Sequence, residues 1–384
     1  MNAERLPEPI LIQRPVDLHK LAERLCREGI LAVDTESNSL FAYQEQVCLI
    51  QFSTPEMDYL VDPLALEDLS PLGEVFSAEG TEKVFHAAEY DLICLSRDFG
   101  FEFANLFDTM VAARILGRKA VGLGSLLEAE FKVHLEKRYQ RANWGQRPLP
   151  PHLLNYARLD THYLIALRER LYAELERRDL LPLAEEDFGR LSAIHNQKHD
   201  NENKDDKLPD VWRIRGARDL HPRQAAVLKA LCDYRDQTAR GQDRPLFKVL
   251  SDQTLVEVAR NEPSNLDELS GLEGMNKRQL RRYGAGLLQA VRQGHENGPL
   301  YPPHNPRPDE SFLERLDALR EWRKYTARKR GVPSDVVLPR DLMIALAERA
   351  PDGMEELEEV LSDVPWRVEH FGQAILYLLS DGRI

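Results

Sequence analysis

The chain has 384 residues, 42% hydrophobic and 30% charged, with a net charge of −13. That length predicts two or three domains, and that charge excludes a protein that coats nucleic acid by electrostatics alone. It leaves open a nucleic-acid enzyme whose carboxylates hold metal ions. No apolar run approaches the ~20 residues of a membrane span, and the N-terminal "MNAERLPEPILIQRP" lacks the basic and apolar regions of a signal peptide. Cys26, Cys48, Cys94 and Cys232 show no CxxC or paired spacing, which fits free thiols in a reducing cytoplasm rather than disulfides or structural zinc.

In chain order, strands are predicted at 29–36 ("GILAVDTE"), 45–54 ("EQVCLIQFST"), 57–62 ("MDYLVD") and 83–88 ("KVFHAA"). Three in close succession predict an antiparallel meander rather than a strict βαβ series. Helical patterns follow at 67–78, 89–98, 109–116, 123–131 and 151–178, the last as one long helix. The polar stretch 196–210 and the Pro- and Gly-dense stretch 294–309 read as linkers.

Residues 231–288 recur 88 positions later. Arg235 falls on Arg323, "TAR" at 238–240 on "TAR" at 326–328, Pro245 on Pro333, Leu269 on Leu357 and Gly284 on Gly372. Each copy reads as several short amphipathic helices. The division is therefore an α/β domain at 1–195, linkers at 196–217 and 296–309, and helical copies at 218–295 and 310–384. The first copy is basic and carries Lys277, Arg278, Arg281 and Arg282, which read either as phosphate contacts or as a solvated helix face. The second copy is acidic.

The chemistry lies in carboxylates. Asp34 and Glu36 end a continuous apolar run, Ile30 to Val33, and alternate residues of a strand share a face. Two converging carboxylates repel unless one is protonated or a cation intervenes; alone, the pair also reads as an ordinary polar strand end. Asp91 follows a strand–helix junction, where the helix dipole also favours it. Tyr156 and Asp160 stand one turn apart on one helix face. The resulting set of oxygen ligands suits Mg²⁺ or Mn²⁺ rather than zinc. Asp108, before "TMVAARIL", reads as a helix N-cap.

The order D-x-E, Asp after a strand–helix junction, then Y-x-x-x-D resembles the DEDDy 3′–5′ exonucleases. The phrases "FHAAEYDL", "LFDTMVAARILG", "NWGQRPLP" and "YARLDTHYL" look like the ribonuclease D family, and the repeated module looks like its HRDC domain. The resemblance implies a ribonuclease-H-like (DnaQ-like) α/β exonuclease domain with a mixed sheet, followed by two all-α HRDC-like domains. It implies a 3′–5′ exoribonuclease using two divalent ions, held by Asp34, Glu36, Asp91 and Asp160, with Tyr156 orienting the attacking water. Asp34 would bridge the ions, Glu36 and Asp160 complete the nucleophile's site, and Asp91 help hold the second. The products would be nucleoside 5′-monophosphates.

Many relatives carry Asn where Ala87 stands here, which leaves a substrate role or a packing role for His86. Gln51 and Phe52 are further candidates for the substrate groove, and Trp144 either stacks on a base or packs a loop. Structured RNA 3′ ends such as tRNA precursors are the implied substrate, with no membrane partner and a monomeric chain. The acidic copy either helps hold the RNA or packs against another domain. A DNA 3′–5′ exonuclease and a non-catalytic RNA-binding protein are the rival readings. The absence of GxxxxGK[ST] excludes a P-loop motor.

Overall fold

The computed structural model describes residues 6–198, 211–303 and 309–381. Residues 199–210 and 304–308 of the two predicted linkers lie outside the described residues. Two compact units form. One joins the α/β domain to the second helical copy; the other joins the first helical copy to residues 38–46.

The α/β domain runs β1 (Ile10–Ile12), α1 (Pro15–Leu25), β2 (Ile30–Ser37), β3 (Val47–Ser53), β4 (Asp58–Val61), α2 (Pro71–Ser77), β5 (Glu82–Phe85), α3 (Glu89–Phe99) and β6 (Leu106–Asp108). It continues through α4 (Thr109–Ile115), α5 (Leu123–Phe131), α6 (Pro151–His162), α7 (Leu164–Arg177) and α8 (Leu181–Lys198). The sheet order is β1-β4-β3-β2-β5-β6. β2, β3 and β4 pair antiparallel, while β1 joins β4 and β5 and β6 extend from β2 in parallel. This is the mixed sheet expected of the fold, with the predicted meander at its centre.

The apolar run of β2 explains its central place. Leu31 and Val33 enter a core shared with α1, α2 and α3, and Ala32 enters a second core on the opposite face. Both faces of the strand are covered until the carboxylates begin. The predicted helix 151–178 is broken at Tyr163 into α6 and α7. At the break, the Thr161 hydroxyl donates to the Arg158 carbonyl, competing with the helix ladder, and His162 turns to Asp58.

The first helical copy comprises α9 (Pro222–Gly241), α10 (Leu246–Val249), α11 (Asp252–Asn261), α12 (Leu266–Ser270) and α13 (Lys277–Glu296). Val211, Ile214 and Ala217, read from the sequence as linker, are buried in its core. Tyr43, from the segment 38–46, joins this unit: its hydroxyl donates to Asp236 at 2.7 Å and its backbone N–H to Asp243 at 3.0 Å. The second copy comprises α14 (Glu310–Arg330), α15 (Ser334–Val337), α16 (Arg340–Arg349), α17 (Met354–Val360) and α18 (Pro365–Asp381).

The repeat is structural. Arg235 donates to the Leu250 carbonyl at 3.1 Å, and Arg323 to the Leu338 carbonyl at 2.8 Å. Gly284 and Gly372 each lie under the equivalent leucine; a Cβ there would sit 3.7 Å from Leu269 and 3.3 Å from Leu357.

The acidic second copy packs on the α/β domain, whose Leu167, Leu171 and Phe188 share one core with Leu319, Leu346 and Trp366. Its acidic residues meet basic ones: Arg114 pairs with Asp335, and Arg190 with Asp341 and Asp363. One buried pair runs the other way. Arg367, fully buried, reaches Glu186 at 2.7 Å and Asp187 at 2.8 Å from the N-terminal part of α8. Burial pushes both carboxyls up, and Arg367 pulls against it. Arg367→Met would leave Glu186 without its counter-charge and Asp187 with only the weaker influence of Arg190. A loss of ~3–5 kcal/mol in urea unfolding is expected; a loss under ~1 kcal/mol would mean that the pair is no more than a surface contact.

Candidate active site

β2 projects Asp34 and Glu36 from the same strand face just past its apolar run. α6 packs across β2, β3 and β4 and brings Tyr156 and Asp160 to the same point. Carboxylate oxygens of Asp34, Glu36 and Asp160 lie within 4.8 Å of one another. Together with Tyr156, His86, Ser125 and Gln140 they line a cavity of about 460 Å³.

Asp91 stands beside this trio, near the start of α3, and accepts a hydrogen bond from the Thr35 hydroxyl. Its placement depends on Asp108. That carboxylate caps α4 through the backbone N–H groups of Met110 and Val111 at 2.7 and 3.0 Å. It also accepts from the N–H of Ala88 at 2.7 Å and of Ala87 at 3.2 Å. Ala87 has φ +63°, a left-handed conformation costing roughly 1–2 kcal/mol for a residue with a Cβ. Asn, Asp and His tolerate that conformation better than Ala does. His86 Nδ1 lies 2.9 Å from Thr109 Oγ1, which itself donates to the Phe85 carbonyl.

Two anchors fix α6. At its C-terminal end, Ser53 Oγ lies 2.7 Å from both Asp58 Oδ1 and Thr161 Oγ1, and His162 Nδ1 lies 2.9 Å from Asp58 Oδ2. On the approach to its N-terminus, Arg147 makes a two-pronged bond to buried Asp62, at 2.6 and 2.8 Å. Burial works against the Asp62 carboxylate, but Arg147 and Gln13 outweigh it and hold the group below its ordinary range. Arg147 also donates to the Trp144 carbonyl at 2.7 Å. Trp144, 1% exposed, packs against Tyr156 with ring centroids 6.1 Å apart.

The electrostatics are one-sided. Burial raises Asp34 well above the usual carboxylate range, and Asp91, Asp160 and Glu36 raise it further. Burial, Asp160 and Asp91 do the same to Glu36. Burial pushes Asp91 and Asp160 to about 7. Burial, Asp160, Glu36 and Asp34 raise the Tyr156 phenol, so it stays protonated at neutral pH. A hard divalent cation fits this set of oxygen donors and would relieve the repulsion.

A 3′–5′ exonuclease family model matches residues 9–176, and an HRDC domain model matches 224–291 and 312–379. Ribonuclease D of Pseudomonas paraeruginosa is 32% identical over 369 residues, spanning 92% of this chain and 94% of that one. The chain belongs to the ribonuclease D family. The crystal structure of Escherichia coli RNase D, described as an exoribonuclease involved in structured RNA processing, is 27% identical with a TM-score of 0.68. It covers 98% of this chain and 99% of its own. Arabidopsis thaliana RRP6-like 2 is 31% identical over 297 residues, 74% of this chain. Against the RRP6-like proteins 2 and 1, the chain spans 34% and 47% of their length. The chain carries an exonuclease domain followed by two HRDC domains.

Not every residue anticipated from the sequence reaches the ribonuclease D-type site. Asp34, Glu36, Tyr156, Asp160 and His86 line the cavity, and Asp91 adjoins it. Phe52 does not: it is fully buried on the opposite sheet face, its ring 5.8 Å from Phe76. Gln51 is fully buried beneath α6 and lines no groove. Trp144 packs and offers no open face to a base. Lys277, Arg278, Arg281 and Arg282 are exposed on α13 of the other unit. The cavity also includes Thr35, the variable position of the D-x-E pattern, and Ser125 and Gln140, which belong to no pattern with a distinctive spacing.

The raised carboxyls give a pH signature. Without metal, Asp91 and Asp160 hold protons in the folded chain that the unfolded chain releases, between about pH 4 and about pH 7. The stabilising difference is complete below that window and lost as pH rises through it. Asp160→Asn removes one of the repelling charges. In EDTA at about pH 8 it is expected to melt above the wild type, by on the order of 1 kcal/mol, with the difference shrinking toward about pH 4. A variant that melts lower at about pH 8 would contradict the repulsion.

Proposed function

We propose that the protein is a 3′–5′ exoribonuclease that trims structured RNAs, tRNA precursors among them, and releases nucleoside 5′-monophosphates. The observation that carries this reading is the convergence of Asp34, Glu36 and Asp160 within 4.8 Å beside Tyr156. Asp34, Glu36 and Asp160 would hold one divalent ion, Mg²⁺ or Mn²⁺, and Asp34 with Asp91 a second. Such ions supply an activated water and neutralise charge on the leaving oxygen. Tyr156, kept protonated by its surroundings, orients the nucleophile through its hydroxyl rather than removing a proton. Asp108 and Trp144 act through Asp91 and Tyr156 as positioning residues. The catalytic set is complete within one chain, which suits a working monomer. All four cysteines are free thiols, as a reducing cytoplasm would keep them. Among the described residues, no helix is long and apolar enough to cross a membrane.

The basic cluster of the first HRDC domain is assigned to RNA phosphate. Lys277 and Arg278 stand in the first turn of α13, where cations oppose the helix dipole. Local stability does not explain them there, whereas a phosphate partner does.

The test is a 5′-labelled RNA with a single-stranded 3′ tail, incubated in Mg²⁺, Mn²⁺ or EDTA beside a matched DNA. A metal-dependent ladder shortening from the 3′ end, lost in Asp34→Asn and weak on DNA, is expected. RNA bound but uncut in both metals would sink the proposal; faster cutting of DNA would reassign the substrate. Tyr156→Phe keeps the packing and removes the hydroxyl. It is expected to lower kcat by about 10²-fold or more with Mn²⁺ affinity unchanged. An equal loss of Mn²⁺ affinity would make Tyr156 part of the ligand set instead.

A further inference from the structure

Three residues of β3 share a face with the catalytic carboxylates: Leu49 opposite Glu36, Gln51 opposite Asp34, and Ser53 opposite Ala32. Directly opposed residues in an antiparallel pair project to the same side, with Cβ atoms ~4.5–5.5 Å apart. Leu49 is apolar and packs with Leu60 and Ala157. Ser53 is bonded to Asp58 and Thr161. Gln51 differs from both. It is fully buried, its other cross-strand neighbour is Leu60, and neither its amide oxygen nor its amide nitrogen has a hydrogen-bond partner among the protein atoms.

A buried amide left unpaired is unfavourable, and an apolar side chain in the same place would avoid that cost. Folding alone therefore does not account for glutamine at this position. Its closest acidic neighbour in the ladder is Asp34, the carboxylate most surrounded by other carboxylates. Metal-ligating groups are commonly aimed by a hydrogen bond from a residue behind them.

We infer that Gln51 is a positioning residue for the metal site: its Nε2 amide donates to the Asp34 carboxylate when Asp34 ligates a cation. This rests on the metal-dependent reading above. Gln51 contacts no RNA in this assignment. It gives Asp34 one orientation and so sharpens metal affinity, at the expense of an unpaired amide in the metal-free protein.

Gln51→Met keeps length and volume and removes both polar atoms; Gln51→Leu matches the neighbours Leu49 and Leu60. The full chain is titrated with Mn²⁺ by calorimetry, and its melting is followed separately in EDTA. Both variants are expected to lose affinity for Mn²⁺ by about 10–100-fold, to melt in EDTA at or above the wild-type temperature, and to keep the wild-type KM for RNA. Wild-type Mn²⁺ affinity in both variants would overturn the role of Gln51 alone. So would a loss of Mn²⁺ affinity accompanied by lower melting in EDTA in both, because Gln51 would then be a structural residue. A wild-type chain that binds no Mn²⁺ would overturn this inference together with the metal-dependent reading.

Discussion

Like charges forced together in a half-buried place are the constraint on which this structure depends. Asp34, Glu36, Asp91 and Asp160 come from three separate elements, and burial raises each of them. A chain selected for stability alone would separate these groups or replace them. Keeping them together requires a scaffold that cannot relax. The sheet provides it: β2 is paired on both edges and covered on both faces up to Asp34.

The remaining rigidity comes from polar clamps that touch the site only indirectly. Asp108 gathers four backbone N–H groups and fixes the junction that aims Asp91. Arg147 and Asp62 hold the loop whose Trp144 supports Tyr156. Ser53, Asp58 and His162 hold the far end of α6. The carboxylates of Asp108, Asp62 and Asp58 are each paired within these clamps, which contributes to rigidity, whereas the site carboxylates and Gln51 are left frustrated. The second HRDC domain adds to the same unit, with its acidic surface meeting Arg114 and Arg190.

The sequence was most informative where local periodicity decides the outcome. Asp34 and Glu36 share a face because strands alternate, and Tyr156 and Asp160 because a helix turns in about four residues. The repeat was legible in spaced identities, and Arg235 and Arg323 prove to make the same bond. It was least informative where partners are distant in the chain. β1 and β6 have three residues each, too short for an alternation to register. β3 is buried on both faces, so "VCLIQFS" carries no sign of which way Gln51 and Phe52 point. The break at Tyr163 and the burial of Trp144 depend on Asp58 and Asp62, which sit far away in sequence. Val211, Ile214 and Ala217 sit among polar residues, and only the folded helical core shows them as part of it.

Metal binding by the converging carboxylates is tested by anomalous diffraction from crystals of the full chain soaked in Mn²⁺. The expected result is anomalous density bonded to Asp34, shared with Glu36 and Asp160 and with a second peak toward Asp91. Well-ordered carboxylates with no Mn²⁺ at Asp34, while the ion occupies other acidic sites, would contradict it.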